Sequence, residues 1–331
     1  MKKWPIPEGV QHCLDILRKA GCAAHPVGGC VRDLLLGRTP GDYDVCTSAY
    51  PEQVMGLFAH TVPTGIQHGT VTVLTEDGPV EVTTFRRESG YADGRHPDGV
   101  AFDVGLTQDL ARRDFTINAM ALGPDGEVVD PFDGRDDLNA GIIRCVGEPD
   151  RRFAEDALRM LRAVRFAAQL GFAIEPETEE ATRRNAGRMA RVSGERIKAE
   201  LEKILLSPHP ERAGELLRWG LLSHLWPVCS CPDLSCLGEL PPQPIPRWRG
   251  FCAVTCFPIE CLPVERALRR GVRHPEEEVL RRLALSGGEL AALGLKGREI
   301  GAAQRKLALH VLEHPEDNRR EIGRASCRER V

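Results

Sequence analysis

The chain has 331 residues, 42% of them hydrophobic and 28% charged, with a formal net charge of −4. That composition excludes disordered, collagenous and mini-protein classes, and the length suffices for two or three domains. No stretch approaches the roughly 20 apolar residues of a membrane-spanning helix, and the opening MKKWPIPEGV has no apolar run behind its lysines, so a soluble, cytoplasmic protein is expected.

The spacing of Val10, Cys13, Leu14 and Leu17 predicts a helix over 8–20 that stops at Gly21. Short strands are expected around Val27 and over 42–46, 71–74 and 80–84, separated by Gly, Pro and Asp turns. Pro26 suggests an edge or a strand end at the first of them. FRRESGYADGRHPDGV at 85–100 holds three glycines and no apolar periodicity, which predicts a mobile loop. From about 150 the pattern changes: Leu158, Leu161 and Val164, then Ile197, Leu201 and Ile204, recur at helical intervals. PPQPIP at 241–246 predicts a linker or sharp turn between helical subdomains. No internal repeat is present. The last eleven residues, EIGRASCRERV, resemble the in-frame translation of a common sequencing adaptor, so 321–331 are expected to be an artefact.

The twelve cysteines are scattered, apart from a loose group between Cys229 and Cys261 that lacks the paired spacing of a zinc ribbon. They read as small buried hydrophobes rather than as a secreted disulfide framework. Residues 1–140 carry 12 Lys/Arg against 21 Asp/Glu, and 141–331 carry 32 against 27, so the front is −9 and the remainder +5. An acidic module beside a basic one suits metal chemistry in front and a polyanion held behind, although solvated surfaces produce the same asymmetry.

In GDYDV, Asp42 and Asp44 flank Tyr43; on a strand, residues two apart share a face, so both carboxylates can grip one hard cation. Glu81 in VEVTTFR lies on a strand that can pair nearby, giving a three-carboxylate site for one or two Mg²⁺ ions. A DxD alone is more often an Asp-rich turn. The preceding VGGCVRDLLLG favours chemistry, because Gly28 and Gly29 allow close backbone approach to phosphates and Arg32 follows at once.

GGCVRDLLLG followed by GDYDVCTS resembles the first motif of bacterial-type (class II) tRNA nucleotidyltransferases, the CCA-adding family with its poly(A) polymerase relatives. PTGIQHGTVTVL (63–74), ARRDFTINAMAL (111–122), DPFDGRDDLNAGIIR (130–144), EDALRMLRAVRFA (155–167) and RVSGERIKAEL (191–201) follow in the family's order, and GLKGREIG to PEDNR is similar to its tail. The resemblance implies an α+β fold: a polymerase-beta-like nucleotidyltransferase head with a mixed β-sheet over 1–140, a helical neck with a nucleotide-templating helix over 141–206, and a helical body and tail over 207–320 that bind tRNA.

In EDALR, Asp156 and Arg159 are expected on one helical face, as are Glu155 and Arg159. Such pairs are most often surface ion pairs. An Asp beside an Arg also reads bases: Asp accepts from an exocyclic amine and Arg donates to the neighbouring ring nitrogen, an order that cytosine and adenine present and guanine and uracil do not. The resemblance gives Asp156 and Arg159 that templating role. It implies triphosphate and ribose recognition by Arg112, Arg113, Asp114 and Asn118, and support of the template from Glu155, Arg162, Glu195 and Arg196, with capping by Ser193 as a competing role for that last segment. In the family, the 85–100 loop helps switch from C to A addition, and Asp93, Arg95, His96 and Pro97 match its pattern, which favours full CCA addition. Arg183, Arg184, Arg188, Arg191, Arg196, Lys198 and Lys203 face three acids between 181 and 203 and can follow a tRNA backbone or simply be a solvated helix face.

The expected activity is template-independent CCA addition to tRNA from CTP and ATP with Mg²⁺, without DNA or membrane as partners. CC-only or A-only addition and poly(A) synthesis are the alternatives. PTGIQHGTVTVL stands where an arginine-rich segment is expected in the polymerases. An inactive RNA-binding relative is disfavoured by the intact Asp42 and Asp44, and a phosphohydrolase by the absence of any His-Asp dipeptide.

Overall fold

The computed structural model describes residues 4–91, 98–226, 232–274, 280 and 282–319. The loop residues Asp93, Arg95, His96 and Pro97, the cysteines Cys229 and Cys231, and the segment 321–331 lie outside that set. The chain divides into two compact units, Met1–Cys231 and Pro232–Val331, so the expected head and neck fall in one unit.

The first helix, α1 (Glu8–Lys19), buries Val10, Cys13, Leu14 and Leu17, the four positions its periodicity marks, and is followed along the chain by α2 (Gly29–Leu35), α3 (Pro51–Leu57) and α4 (Leu106–Ala111). It precedes a seven-stranded mixed sheet built from β1 (Ala24–Val27), β2 (Asp44–Thr47), β3 (Thr61–Gly65), β4 (Thr70–Thr75), β5 (Gly78–Thr84), β8 (Ala121–Leu122) and β9 (Val128–Val129) in the order β3-β4-β5-β2-β1-β8-β9. Within this sheet, among the described residues, only β2 and β5 run parallel, and their register sets Asp44 beside Glu81. Val27, Cys46, Phe85, Leu110, Ala119, Ala121 and Val146 form a core cluster in this unit.

Pro26 is not at an edge: β1 lies between β2 and β8. Strand residues two apart point their N–H groups the same way, and Gly28 donates to the Met120 carbonyl at 3.0 Å, so the Pro26 nitrogen faces β8. There β1 and β8 pair only through Val27 and Ala121, so the missing donor costs no ladder bond. The expected loop 85–100 also contains strand structure, since β6 (Arg87–Ser89) pairs antiparallel with β7 (Gly99–Ala101).

The segment expected to form the neck, 141–206, carries α6 (Pro149–Glu155), α7 (Leu158–Leu170), α8 (Pro176–Asn185) and α9 (Gly194–Leu205). It is not wholly helical, because β10 (Ile142–Ile143) and β11 (Ala173–Ile174) form a small parallel pair. DPFDGRDDL is architectural: Asp130 accepts from the N–H groups of Gly134 and Arg135 at 2.8 Å each, opening α5 (Gly134–Ala140), and any Cβ at Gly134 would collide with the Thr116 carbonyl.

In the second unit PPQPIP is not a linker. Pro244 is the first residue of the helix Pro244–Thr255, where a missing N–H is harmless. The cysteines there are not small core residues either: Cys236 and Cys256 are exposed and Cys252 and Cys261 half-buried, whereas Cys13, Cys30, Cys46 and Cys145 of the first unit are buried as expected. Leu285, Leu290 and Leu307 form a separate core cluster within the second unit. Among the described residues no helix is long and apolar enough to cross a membrane.

Candidate active site

Asp44 opens β2, while Asp42 stands just before it in irregular backbone rather than on the strand. Tyr43 between them turns inward, its hydroxyl donating to the Pro5 carbonyl at 3.1 Å. Glu81 is the β5 neighbour of Asp44 and is exposed. Burial pushes the Asp44 carboxyl up to about 6; the Arg113 guanidinium opposes that, and Asp42 and Glu81 add to it. Three acids therefore converge in charge on one point of the sheet, beside one guanidinium.

Among the described residues no three His, Cys, Asp or Glu side chains form a ready-made metal cage. Mg²⁺ rarely needs one: it takes one or two carboxylates and completes its octahedron with waters and substrate phosphates. A carboxylate raised chiefly by its burial, with two further acids adding to the rise, makes a hard oxygen donor set that fits a divalent cation, with Asp42 and Asp44 as the natural pair and Glu81 across the register.

Gly28 positions this corner. Its φ of +82° is open to glycine, and a Cβ there would lie 2.8 Å from an Arg113 Nη. Arg113 leans over Gly28 from the ARRD segment, and its Nε is buried without a hydrogen-bond partner. Behind it sits Asp109, fully buried, holding Arg112 at 2.9 Å and Arg113 at 3.6 Å. Arg112 also reaches Glu88 on β6 at 3.3 Å, and Glu88 accepts from Tyr91 at 2.6 Å and from Arg86 at 2.6 Å. Gly29 opens α2 (Gly29–Leu35), on which Arg32 sits.

A continuous set of hydrogen bonds then crosses from head to neck. Arg32 donates to Asn118 Oδ1 at 2.8 Å, Asn118 Nδ2 donates to Asp114 at 3.3 Å, and Asp114 takes Arg162 of α7 at 2.6 Å. Burial alone would raise the Asp114 carboxyl, but the Arg162 and Arg159 guanidiniums and these bonds prevail and hold it at about 2.

Asp156 and Arg159 do not share a helix. Asp156 adopts φ −148°, ψ 108° and ends α6; its Oδ1 accepts from the Leu158 N–H at 3.0 Å, the short side-chain bond by which Asp breaks helices. Both of its oxygens are taken by Arg196 of α9, at 3.2 and 2.7 Å. Arg159, in the first turn of α7, pairs with Glu155 at 2.7 Å and donates to the Arg112 carbonyl at 3.1 Å, which ties the neck to the ARRD segment.

The structure thus brings together Asp42, Asp44, Glu81, Gly28 and Arg113 on one side, and Arg32, Asn118, Asp114, Arg162, Arg159, Glu155, Asp156 and Arg196 along the head–neck seam. Glu195 is not among them: it is exposed in the first turn of α9. Ser193 is the N-cap residue of α9, but its side chain makes no capping bond. Most of the supposed basic face is internally paired: Arg183 with Glu179, Arg184 with Asp150, Arg196 with Asp156, Lys198 with Glu202 and Lys203 with Glu200. Sequence reasoning missed Asp109, Glu88, Phe166 and Glu200. For Asp109 a signal existed, its i,i+3 and i,i+4 spacing to Arg112 and Arg113.

A mixed sheet carrying a carboxylate pair, with arginines gathered where a helical neck meets it, defines a nucleotidyltransferase. Residues 24–144 match the family described as the poly A polymerase head domain, and 171–230 match the probable RNA and SrmB binding site of polymerase A. The CCA-adding enzyme of Lactiplantibacillus plantarum is 53% identical over 197 residues, 60% of this chain and 48% of that protein. The CCA-adding enzyme of Leuconostoc mesenteroides is 51% identical over 229 residues, 68% of this chain and 57% of that one. The chain thus spans about half the length of the curated relatives it matches. The crystal structure of the Bacillus stearothermophilus CCA-adding enzyme in complex with CTP aligns over 100% of this chain and 98% of its own, with 32% identity and a TM-score of 0.63. The chain belongs to the CCA-adding enzyme family.

Proposed function

We propose that this chain adds CCA to tRNA 3′ ends from CTP and ATP without a nucleic-acid template, in the cytoplasm and with Mg²⁺. The observation that carries this reading is the pairing of a head carboxylate site, Asp44 beside Glu81 with Asp42 adjacent, with a neck that presents Asp156 and Arg159 as separately anchored groups. The tRNA 3′ hydroxyl attacks the α-phosphate of CTP twice and of ATP once, releasing pyrophosphate each time. Asp42 and Asp44 would hold the metal, which when bound neutralises triphosphate charge and eases loss of the hydroxyl proton. Arg113 and Arg32 supply positive charge for the triphosphate, and Asn118 and Asp114 face the ribose. Asp156 accepts from the exocyclic amine of cytosine or adenine, while Arg159 donates to the adjacent ring nitrogen. The relatives at 53% and 51% identity, and the CTP-bound structure at 32%, support this substrate choice.

The test is incorporation by the purified protein on tRNA transcripts ending before CCA, at the first C and at the second C, with each triphosphate alone and then CTP with ATP. Completion of CCA followed by arrest is expected. Stopping after CC, or adding A alone, makes the protein one half of a divided system, and long A tails make it a poly(A) polymerase. Asp42→Ala is expected to lower incorporation by at least about 10³-fold while leaving tRNA binding intact; normal turnover in that variant overturns the metal assignment.

A further inference from the structure

Three guanidinium groups surround the ring of Phe166 on α7: Arg165 at 4.0 Å from its centroid, Arg32 at 5.3 Å and Arg162 at 5.4 Å. The ring is 5% exposed and is packed edge-on against Phe115, with centroids 5.7 Å apart at 80°. Each guanidinium leaves the ring toward a different partner: Arg165 to Glu200 of α9 at 2.6 Å, Arg162 to Asp114 at 2.6 Å, and Arg32 to Asn118 at 2.8 Å and Asp33 at 2.9 Å. Like charges gathered this closely repel. Two features offset the repulsion here: separate polar partners, and the negative face of an aromatic ring, which attracts cations where an aliphatic side chain of similar size would not.

We propose that Phe166 is a positioning residue whose ring face fixes Arg32 and Arg162 as a pair, so that nucleotide affinity depends on a neck side chain that touches no nucleotide. The proposal rests on the reading of the nucleotide site given above. Arg32 and Arg162 belong to the hydrogen-bonded set running through Asn118 and Asp114, whereas base choice belongs to Asp156 and Arg159, which have other anchors. Disturbing the ring therefore weakens CTP and ATP alike and leaves selectivity alone.

The decisive replacement is pentafluorophenylalanine at position 166, introduced by nonsense suppression, which keeps the shape and reverses the sign of the ring face; Phe166→Tyr, which keeps the sign, is its control. KM for CTP and ATP is expected to rise about tenfold in the fluorinated protein, or about 1.4 kcal/mol, with kcat within about twofold of wild type and no added use of UTP or GTP. Phe166→Tyr is expected to stay within about twofold in KM. A fluorinated protein with wild-type KM overturns the proposal, because shape alone would then suffice. Unequal effects on CTP and ATP overturn it too, by assigning the residue to base reading. Arginine Nε–Hε spectra provide a readout independent of turnover: the Arg32, Arg162 and Arg165 signals are expected to shift on fluorination, and unmoved signals refute the ring's hold on them. Should the wild-type protein add no nucleotide at all, the functional reading fails while these spectra still judge the ring.

Discussion

Asp156 gives both of its carboxylate oxygens to Arg196, at 3.2 and 2.7 Å, and neither to Arg159, whose own carboxylate partner is Glu155 at 2.7 Å. A carboxylate between two helices would ordinarily sample several rotamers; a two-point contact from α9 leaves it one. The two groups proposed to read a base are thus held by different elements and can be perturbed separately.

Arg196→Ala is expected to release Asp156 and lower discrimination against UTP and GTP about tenfold, with a smaller loss of CTP incorporation. Arg196→Lys is expected to recover little, since one ammonium cannot engage both oxygens in that geometry. Misincorporation ratios from competing triphosphates measure this. An unchanged ratio in both variants removes α9 from the aiming of Asp156.

Gly28→Ala combines two penalties. Its φ of +82° disfavours an L side chain, and the new Cβ would meet the Arg113 guanidinium at 2.8 Å. Backbone strain of this kind costs about 1–3 kcal/mol, which lowers Tm by roughly 3–10 °C in a unit of this size. Turnover is expected to fall further than that destabilisation explains, because Arg113 moves away from Asp44. Calorimetry and steady-state rates on one preparation separate the two effects, and a variant unchanged in both refutes the close approach.

Much of this was legible in the sequence, where periodicity and motif agree. The face of α1 and the strands beneath Val71 and Val82 followed from helical spacing and alternation, and Glu81 reads as lying on a strand able to pair near Asp44; the register that sets the two side by side comes from the structure. What was not legible depends on chain reversal or local side-chain competition. A regular helical pattern runs straight through EDALR, and the helix break there shows only in the structure, in the extended backbone of Asp156 and the bond it accepts from Leu158 N–H. Pro26 reads as an edge because sequence does not reveal toward which neighbour a nitrogen points. Glu200 reads as one more solvated acid until α9 packs on α7 and closes it over Arg165.

The Asp114 carboxyl, held at about 2 against an ordinary value of 3.8, ties stability to acid. A carboxyl depressed on folding stabilises the protein fully above the unfolded value, and that contribution is lost as pH falls through about 4 toward 2. The shift corresponds to about 2 kcal/mol. Asp114→Asn is expected to lower Tm at pH 6 and to flatten its fall between pH 4 and 2. Parallel acid limbs for the two proteins would show that Arg162 does not depress this carboxyl.

The Arg165–Glu200 pair is the strongest candidate for a structural weak point in the neck. Its side chains are only 10% and 6% exposed, and the 2.6 Å contact joins α7 to α9. Deleting one member of such a pair leaves a buried charge without its counter-ion, at about 3–5 kcal/mol, whereas replacing both by apolar groups is often neutral or stabilising. Glu200→Leu alone is therefore expected to lower Tm by roughly 6–20 °C. The double variant Arg165→Met with Glu200→Leu is expected to regain most of that loss. It should not regain nucleotide affinity, since Arg165 also lies over the Phe166 ring. Stability restored together with full affinity would show that Arg165 serves the neck alone and that Arg32 and Arg162 are placed without it.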